Sequence, residues 1–533
     1  MISRIGDRVV FHRIGAPRRE ASECLTRSGP SRKLVRAMRF FTTIAAALLA
    51  CALSAEAQAP AATNWSVTLD ECLHLALRNN LSVQIERRGP AVARLTLEGA
   101  RGAYDPSLVL SNKVSYFDNP GRIDSFTGFT SGASQNWTES YGPGLKGLLP
   151  WGTTYDLSAN FYRDSGTSYA SGFQYRDSLS FTLIQPLMKN GAVDSSRYTL
   201  QLAKKDLKLS ELAFLSKVHQ VVAAVQMAYY ELAYSHENIR VQQKSLELAE
   251  QFLAESRKKV EVGVLAPLDE KLAESQAATR KAELIAAQRD LEAKDNALKN
   301  LLTADFAVLA GARIKPADAL VAVPELLDSQ PSWERGLAKR PELLQARLDV
   351  ERQDLSLRYF KNQRLPQLDL VGTYGHSGLG GNFSNSFEDI THGRHPFYSY
   401  ALVFTYPLGN RVAKANHEAI KVVKEKSLLQ LKKLEQDVLV EIDDAVKLAR
   451  SDFERVDATR KARQFSEVAL EAEQKKLEVG KSTSFVVLQL QRDLTTARSA
   501  EMRSVADYHK ALARLALSEG TVLERNKLSV EIK

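Results

Sequence analysis

Two stretches of this chain, residues 192–262 and 410–479, contain neither glycine nor proline. Within them apolar residues recur at helical spacing, as in Val218, Val222, Val225, Tyr229 and Leu232, or Leu434, Val438, Ile442, Ala445 and Ala449. A helix rises 1.5 Å per residue, so each stretch predicts a rod of about 105 Å. Few globular domains house such a helix, and the rest of the sequence has to be arranged around two of them.

The rods end alike. KKVEVG (258–263) closes the first and KKLEVG (475–480) the second. A glycine just past the last turn suits the left-handed residue that stops a helix. Four residues on, Pro267 and Ser484 suit the first turn and the N-cap of returning helices, expected to run to about 305 and 519. The return over 268–305 and a helix over 333–365, laid end to end, come to roughly 57 and 50 Å and match one rod. The expectation is a coiled-coil-like layer of long and paired short helices.

At the opposite ends of the rods the period falls to two. A helical segment over 70–103 precedes Pro106, after which Leu108, Leu110, Val114 and Tyr116 alternate with Ser107, Ser111, Lys113 and Ser115. After Pro366, Leu368, Leu370 and Tyr374 alternate with Gln367, Asp369 and Thr373. SFTLIQPLMKNG (180–191) matches ALVFTYPLGN (401–410), aligning Pro186-Leu187 with Pro407-Leu408, and Tyr398, Tyr400, Leu402, Phe404 and Tyr406 form one aromatic-rich face. Strands, prolines, rods and hexamers recur in one order, so the chain reads as internally duplicated. The first repeat covers 58–310, a linker 311–332, the second repeat 333–525 and a tail 526–533.

The halves differ in one place. Pro106 to Pro186 is 80 residues and Pro366 to Pro407 is 41, leaving 39 extra in the first. There Tyr155, Leu157, Ala159 and Phe161 alternate with Thr154, Asp156, Ser158 and Asn160, which predicts a hairpin over 137–163 turning at Pro150-Trp151-Gly152. It would raise the strands per chain from four to six if it joins the wall; the rival is a hairpin folded elsewhere, leaving four.

Alternating strands of about eleven residues have the length needed to cross a bilayer at a tilt. A closed β-barrel pairs every backbone group in lipid. A handful of strands cannot enclose a conducting lumen, so several copies would share one barrel. The rival is a one-sided sheet in a soluble domain. An exported destination fits the first 57 residues: from Met38 the chain reads MRFFTTIAAALLACALSAEAQ, with Ala55-Glu56-Ala57 as a cleavage site. Residues 1–57 are therefore read as an N-terminal extension and signal peptide; a lipid anchor at Cys51 is the alternative. The segment holds 10 Lys/Arg and 4 Asp/Glu, so +6 of the net +9 lies there and +3 remains, which argues against a nucleic-acid footprint. Of Cys24, Cys51 and Cys72 only Cys72 would then stay, leaving no internal disulfide.

Thr68-Leu69-Asp70-Glu71, LIQPL, YPLGN, KKVEVGVLAPLD and KKLEVGKSTSF, in that order over residues 66–525, resemble the TolC-type outer-membrane channels of efflux pumps and type I secretion systems. The resemblance implies an α+β membrane protein: a homotrimer whose shared transmembrane β-barrel continues as a long α-helical coiled-coil barrel in the periplasm. It implies a passive conduit in outer-membrane lipid, without enzyme activity, cofactor or metal. Its partners would be a periplasmic adaptor and an inner-membrane transporter. Matching positions make Val262, Gly263, Val264, Leu265 and Ala266, with Val479, Gly480, Lys481, Ser482 and Thr483, the adaptor-docking tips. Two features of the family's entrance are missing. Val486 and Gln489 stand where an acidic ring is expected, and Leu477 replaces a tyrosine that would latch to Asp269. Entrance contacts would fall to Asp269, Glu270, Lys271 or Arg492. A periplasmic coiled-coil scaffold without a pore is the competing class.

Other signals are weaker. His376, His392 and His395 with Glu388 and Asp389 could suggest a metal, but lie in a stretch rich in Gly, Ser and Asn that reads as a solvated loop. Gly372, Gly375, Gly378, Gly380 and Gly381 follow a strand and open no helix, unlike a phosphate loop. No nucleophile–base set is present.

Overall fold

The computed structural model describes residues 64–529 except 124, 125, 129, 168, 170, 171, 264 and 480. The leader read over 1–57, with its cleavage site and Cys51, lies outside the described residues, as do Val264 and Gly480 of the tips.

Strand β1 (Asn64–Val67) leads into helix α1 (Leu69–Asn79) and helix α2 (Leu81–Arg101). A reciprocal capping box starts α1: the Thr68 hydroxyl accepts from the Glu71 amide and the Glu71 carboxylate from the Thr68 amide. The single helix expected over 70–103 is broken at Asn80. Its backbone is extended, and its side chain accepts from the Val83 amide (3.2 Å) and donates to the Leu301 carbonyl (2.9 Å). An asparagine side chain that satisfies the backbone locally competes with helix continuation.

Four long strands follow: β2 (Ser107–Asn119), β3 (Ser134–Leu148), β4 (Thr154–Gly166) and β5 (Phe173–Pro186). The first rod, α3 (Ser195–Glu261), has 67 residues, about 100 Å. It returns as α4 (Pro267–Leu302), which leads to β6 (Arg313–Pro316), paired in parallel with β1. Helices α5 (Ser329–Lys339) and α6 (Pro341–Gln363), strand β7 (Gln367–Gly380), helix α7 (Phe383–Thr391) and strand β8 (Pro396–Thr405) come next. The second rod, α8 (Arg411–Glu478), has 68 residues and returns as α9 (Ser484–Glu519). Thr483 takes the N-cap position expected of Ser484, so the helix starts at Ser484, one residue earlier than expected.

The pairing of short helices differs from the sequence expectation. The end of α4 meets the α1–α2 elbow through Asn80 and Leu301 instead of abutting 333–365. The end of α9 meets the α5–α6 elbow: buried Glu519 receives the Arg335 guanidinium (2.7 Å), and a Cβ on Gly520 (φ +71°) would lie 3.0 Å from the Arg340 Cα. Beside the strands, α6 packs between the rods, with Tyr198 of α3 stacked on Tyr359 at 4.4 Å and Lys424 of α8 paired with Asp354. Towards the tips α9 takes that place. Helix lengths alone allow either stacking; side-chain fit at the elbows decides it.

The largest apolar core lies mid-rod, where Cys72, Leu73, Val83, Phe214, Val218, Val222, Leu232, Leu298, Leu302 and Ile314 are buried together. Tyr229 donates to Asp318 (2.8 Å), whose same oxygen accepts from the Leu69 amide, tying α3 to the β1–β6 ribbon. Burial, reinforced by Glu71 and Asp318, pushes the Cys72 thiol up to about 12. Cys72 is accordingly expected not to react with a maleimide at pH 7 until the chain is unfolded, as followed by mass shift; rapid labelling of the native protein would place α1 outside this core.

Candidate functional site

Two regions can carry function: the sheet and the hairpin tips. Among the described residues six strands form one antiparallel sheet in the order β8-β7-β5-β4-β3-β2. The strands hold 10 to 15 residues, most of them longer than the eleven read from the sequence. The extra hairpin, β3 and β4, lies between β2 and β5 and is part of this sheet. Both outer strands, β2 and β8, leave one edge unpaired among the described residues.

Register separates the two faces. Leu108 pairs with Leu145, Leu145 with Leu157, Leu157 with Phe181, Phe181 with Tyr374 and Tyr374 with Tyr398. Directly paired residues share a face, so this row and its neighbours make one apolar surface across all six strands. Much of it is bare: Leu110 is 75% exposed and Tyr400 83%. The opposite face is polar and internally bonded. Thr182 meets Thr373 (3.0 Å), Ser158 meets Ser180 (3.3 Å), Lys146 pairs with Asp156 (2.9 Å), and Asp164 accepts from Thr138 and Arg176. An exposed apolar face of this extent opposite a hydrated one suits a wall between lipid and water. Among the described residues no helix is long and apolar enough to cross a membrane.

At the first tip, the Gly263 amide donates to Val260 O, Gly263 adopts φ +78°, the Leu265 amide reaches back to Lys259 O, and α4 starts at Pro267. Among the described residues, leaving aside its chain neighbours, no atom lies within 4 Å of where a Cβ on Gly263 would stand. Its backbone is open to a visiting surface. At the second tip the Lys481 amide donates to Lys476 O and the Ser482 hydroxyl to Glu473 (2.5 Å). Val262, Ala266, Val479, Lys481 and Thr483 are exposed, while Leu265 and Ser482 are half-buried. Leu268 and Phe485, each just inside its return helix, add exposed apolar surface.

The entrance candidates divide. Glu270 is engaged by Arg257 (3.3 Å) and Lys271 by Glu274 (2.9 Å), both within the first hairpin. Asp269 is half-buried, its amide bonded to Ala266 O. Val486, Gln489 and Arg492 are exposed along α9, and none is acidic. Leu477 packs with Leu470, Leu490, Val487 and Leu494 against Phe252 of α3. A seam therefore joins the hairpins: Glu231, Asn238, Ser245 and Phe252, seven residues apart on α3, meet Arg503, Ser499, Thr495 and the apolar cluster of α8 and α9. Seven-residue spacing is the mark of a coiled-coil seam. Its polar members interrupt the apolar periodicity by which such a seam shows in a sequence.

The stretch read as a solvated loop holds helix α7 instead. His376 meets the Tyr374 hydroxyl, His392 the Glu388 carbonyl and His395 Asp389 (3.9 Å). No three His, Cys, Asp or Glu converge as metal ligands among the described residues.

The family model described as outer membrane efflux protein matches residues 154–304 and 334–521. No curated protein sequence matches the chain. Among solved structures, the Campylobacter jejuni CmeC outer membrane channel aligns at 16% identity and TM-score 0.62, covering 85% of both chains. The Vibrio cholerae outer membrane protein VceC aligns at 16% identity and TM-score 0.60, covering 85% of this chain and 96% of that one. The open-state Neisseria gonorrhoeae MtrE outer membrane channel aligns at 18% identity and TM-score 0.61, covering 86% and 91%. At these identities the likeness establishes the fold.

Proposed function

The chain belongs to the outer membrane efflux protein family, and from that membership we infer a passive outer-membrane channel for export, three copies of which share one barrel. The sheet carries this reading: an apolar face unbroken over six strands, with both edges free and the rods leading away from it. Joining β8 of one copy to β2 of the next removes both edges, as a membrane barrel requires. Three copies of six strands give a barrel of about 18 strands, wide enough for an aqueous lumen. Duplication of one strand–rod–return unit accounts for the matching 67- and 68-residue rods and their twin tips. On this reading the repeats would span 58–310 and 333–525, with 311–332 between them. A scaffold without a pore leaves the apolar face unexplained.

The rods extend the conduit into the periplasm, and the tips at 262–266 and 479–483 dock a periplasmic adaptor coupled to an inner-membrane transporter. Exposed Val262, Val479, Leu268 and Phe485 support this, as does the open backbone at Gly263. Gly263→Ala places its methyl in empty space and costs about 1 kcal/mol for the left-handed backbone. The variant is expected to assemble normally yet lose cross-linking to its adaptor; unchanged cross-linking would remove the first tip from the interface.

Deleting the protein tests export. Sensitivity to dyes and detergents is expected to rise, or a secreted protein to stay inside; unchanged sensitivity and unchanged secretion would contradict the reading. Release from membranes by salt, without detergent, would favour the scaffold.

A further inference from the structure

Helix α7 folds back from the β7–β8 connection onto the apolar face of the sheet. The sequence prepares the seat: Gly378 and Gly380 point from β7 to this face, and a Cβ on Gly378 would fall 1.9 Å from the Ser386 carbonyl oxygen. Ser386 and Ile390 are buried against the strands. Phe383 and Phe387 stack on each other at 5.7 Å, and Phe383 meets Phe161 of β4 and Tyr175 of β5 edge-on. Even so, Phe383 stays 47% exposed and Phe387 43%. The other side of α7 carries Ser384, Asn385 and Glu388, all exposed. The helix is amphipathic twice over, towards the sheet and towards whatever surrounds the barrel.

Its position narrows what that is. Leu157 and Leu179, on the same face one or two rows nearer the rods, belong to the surface that meets lipid. Beyond them the face turns polar: Asp177 points to the same side and, beneath the α7 region, is 2% exposed. Past Asp177 come Arg163 and Glu139, paired at 3.7 Å. Hydrocarbon does not tolerate a bare carboxylate, so the covered Asp177 marks the level where the apolar band ends. A second copy is a poor occupant, because α7 rests over β4, β5 and β7 and a neighbour joins at β2 and β8.

We propose that α7 is an interfacial helix seated at the outer-leaflet boundary, with Phe383 and Phe387 among the upper acyl chains and Glu388 towards the headgroups. The proposal rests on the channel reading, and α7 would fix how deep the barrel sits. An apolar face continuous with the lipid belt and a polar face opposite are the requirements for lying in that plane.

The test places a nitroxide on cysteines at 383, 387, 388 and 402 of the full chain in phosphatidylcholine vesicles, in a background with Cys24 and Cys51 replaced and buried Cys72 as the blank. Labels at 383, 387 and 402 are expected to be reached by oxygen more readily than by an aqueous nickel chelate, and the label at 388 the reverse. Aqueous readings at 383 and 387 with a lipid reading at 402 would overturn the interfacial helix alone. An aqueous reading at 402 as well would overturn the channel reading with it. Should Phe387→Cys fail to assemble, Phe383→Cys carries the same comparison.

Discussion

Leu402→Arg is expected to stop the protein from entering the outer membrane, while Ser178→Arg leaves insertion intact. The two positions lie on opposite faces of one sheet. Leu402 pairs with Leu370 on the apolar face and is 66% exposed; Ser178 pairs with Asn160 and Ser377 on the polar one. An arginine on the lipid side of a barrel strand costs about 2–4 kcal/mol at mid-membrane. In the proposed barrel of three copies that becomes about 6–12 kcal/mol per assembly, comparable to the whole stability of many proteins. The same side chain facing a water-filled lumen costs little. Density-gradient fractionation with an assembly gel reads the difference: the Leu402 variant should be missing from the outer-membrane fraction and the Ser178 variant present. Equal behaviour would mean that the faces are not lipid and water.

The second large effect concerns the seam between the hairpins. Glu231 of α3 receives Arg503 (2.8 Å) and Lys510 (2.7 Å) of α9 in a largely enclosed site. Burial works to raise this carboxyl, but the hydrogen bonds and charges of Lys510 and Arg503 outweigh it and hold it at about 2, against an ordinary 4.5. A depressed carboxyl contributes stability above its unfolded value and loses it as pH falls towards its folded one. The contribution, roughly 3 kcal/mol per chain, is therefore complete above pH 5 and fades towards pH 2. Glu231→Gln should lower the free energy of unfolding at pH 7 by that order. The gap from the parent should shrink steadily as pH is taken from 5 to 3. A gap independent of pH would show that the carboxylate charge does not hold the seam.

Much of this architecture is legible in the sequence because it is periodic over long spans. Seventy residues without a helix breaker, stepping Val218, Val222, Val225, Tyr229, admit one reading. Paired faces such as Tyr155, Leu157, Ala159, Phe161 admit one as well. The hairpin at 137–163 showed itself despite Gly142, Pro143 and Gly144, since its partner strand alternates cleanly. What was not legible depends on contacts distant in sequence. Asn80 caps the second helix through the Val83 amide, and the distant Leu301 carbonyl holds its side chain in place. Helix α7 is nine residues long, and its Phe383, Ser386, Phe387, Ile390 stripe has meaning only beside the space left by Gly378 and Gly380. The seam alternates polar with apolar members, so no hydrophobic count finds Asn238 or Ser245. At the tips, the matching hexamers locate the turns but not the apolar cluster that Leu477 shares with Phe252.

The sharing of one barrel is tested most directly by a residue-resolved map of the assembly in lipid nanodiscs. It should show β8 of each copy hydrogen-bonded to β2 of the next, about 18 strands in a closed ring, with Leu110, Phe181 and Tyr400 outward and Ser180 and Thr373 inward. Sheets left unpaired at β2 and β8, or a ring with those faces reversed, would contradict it.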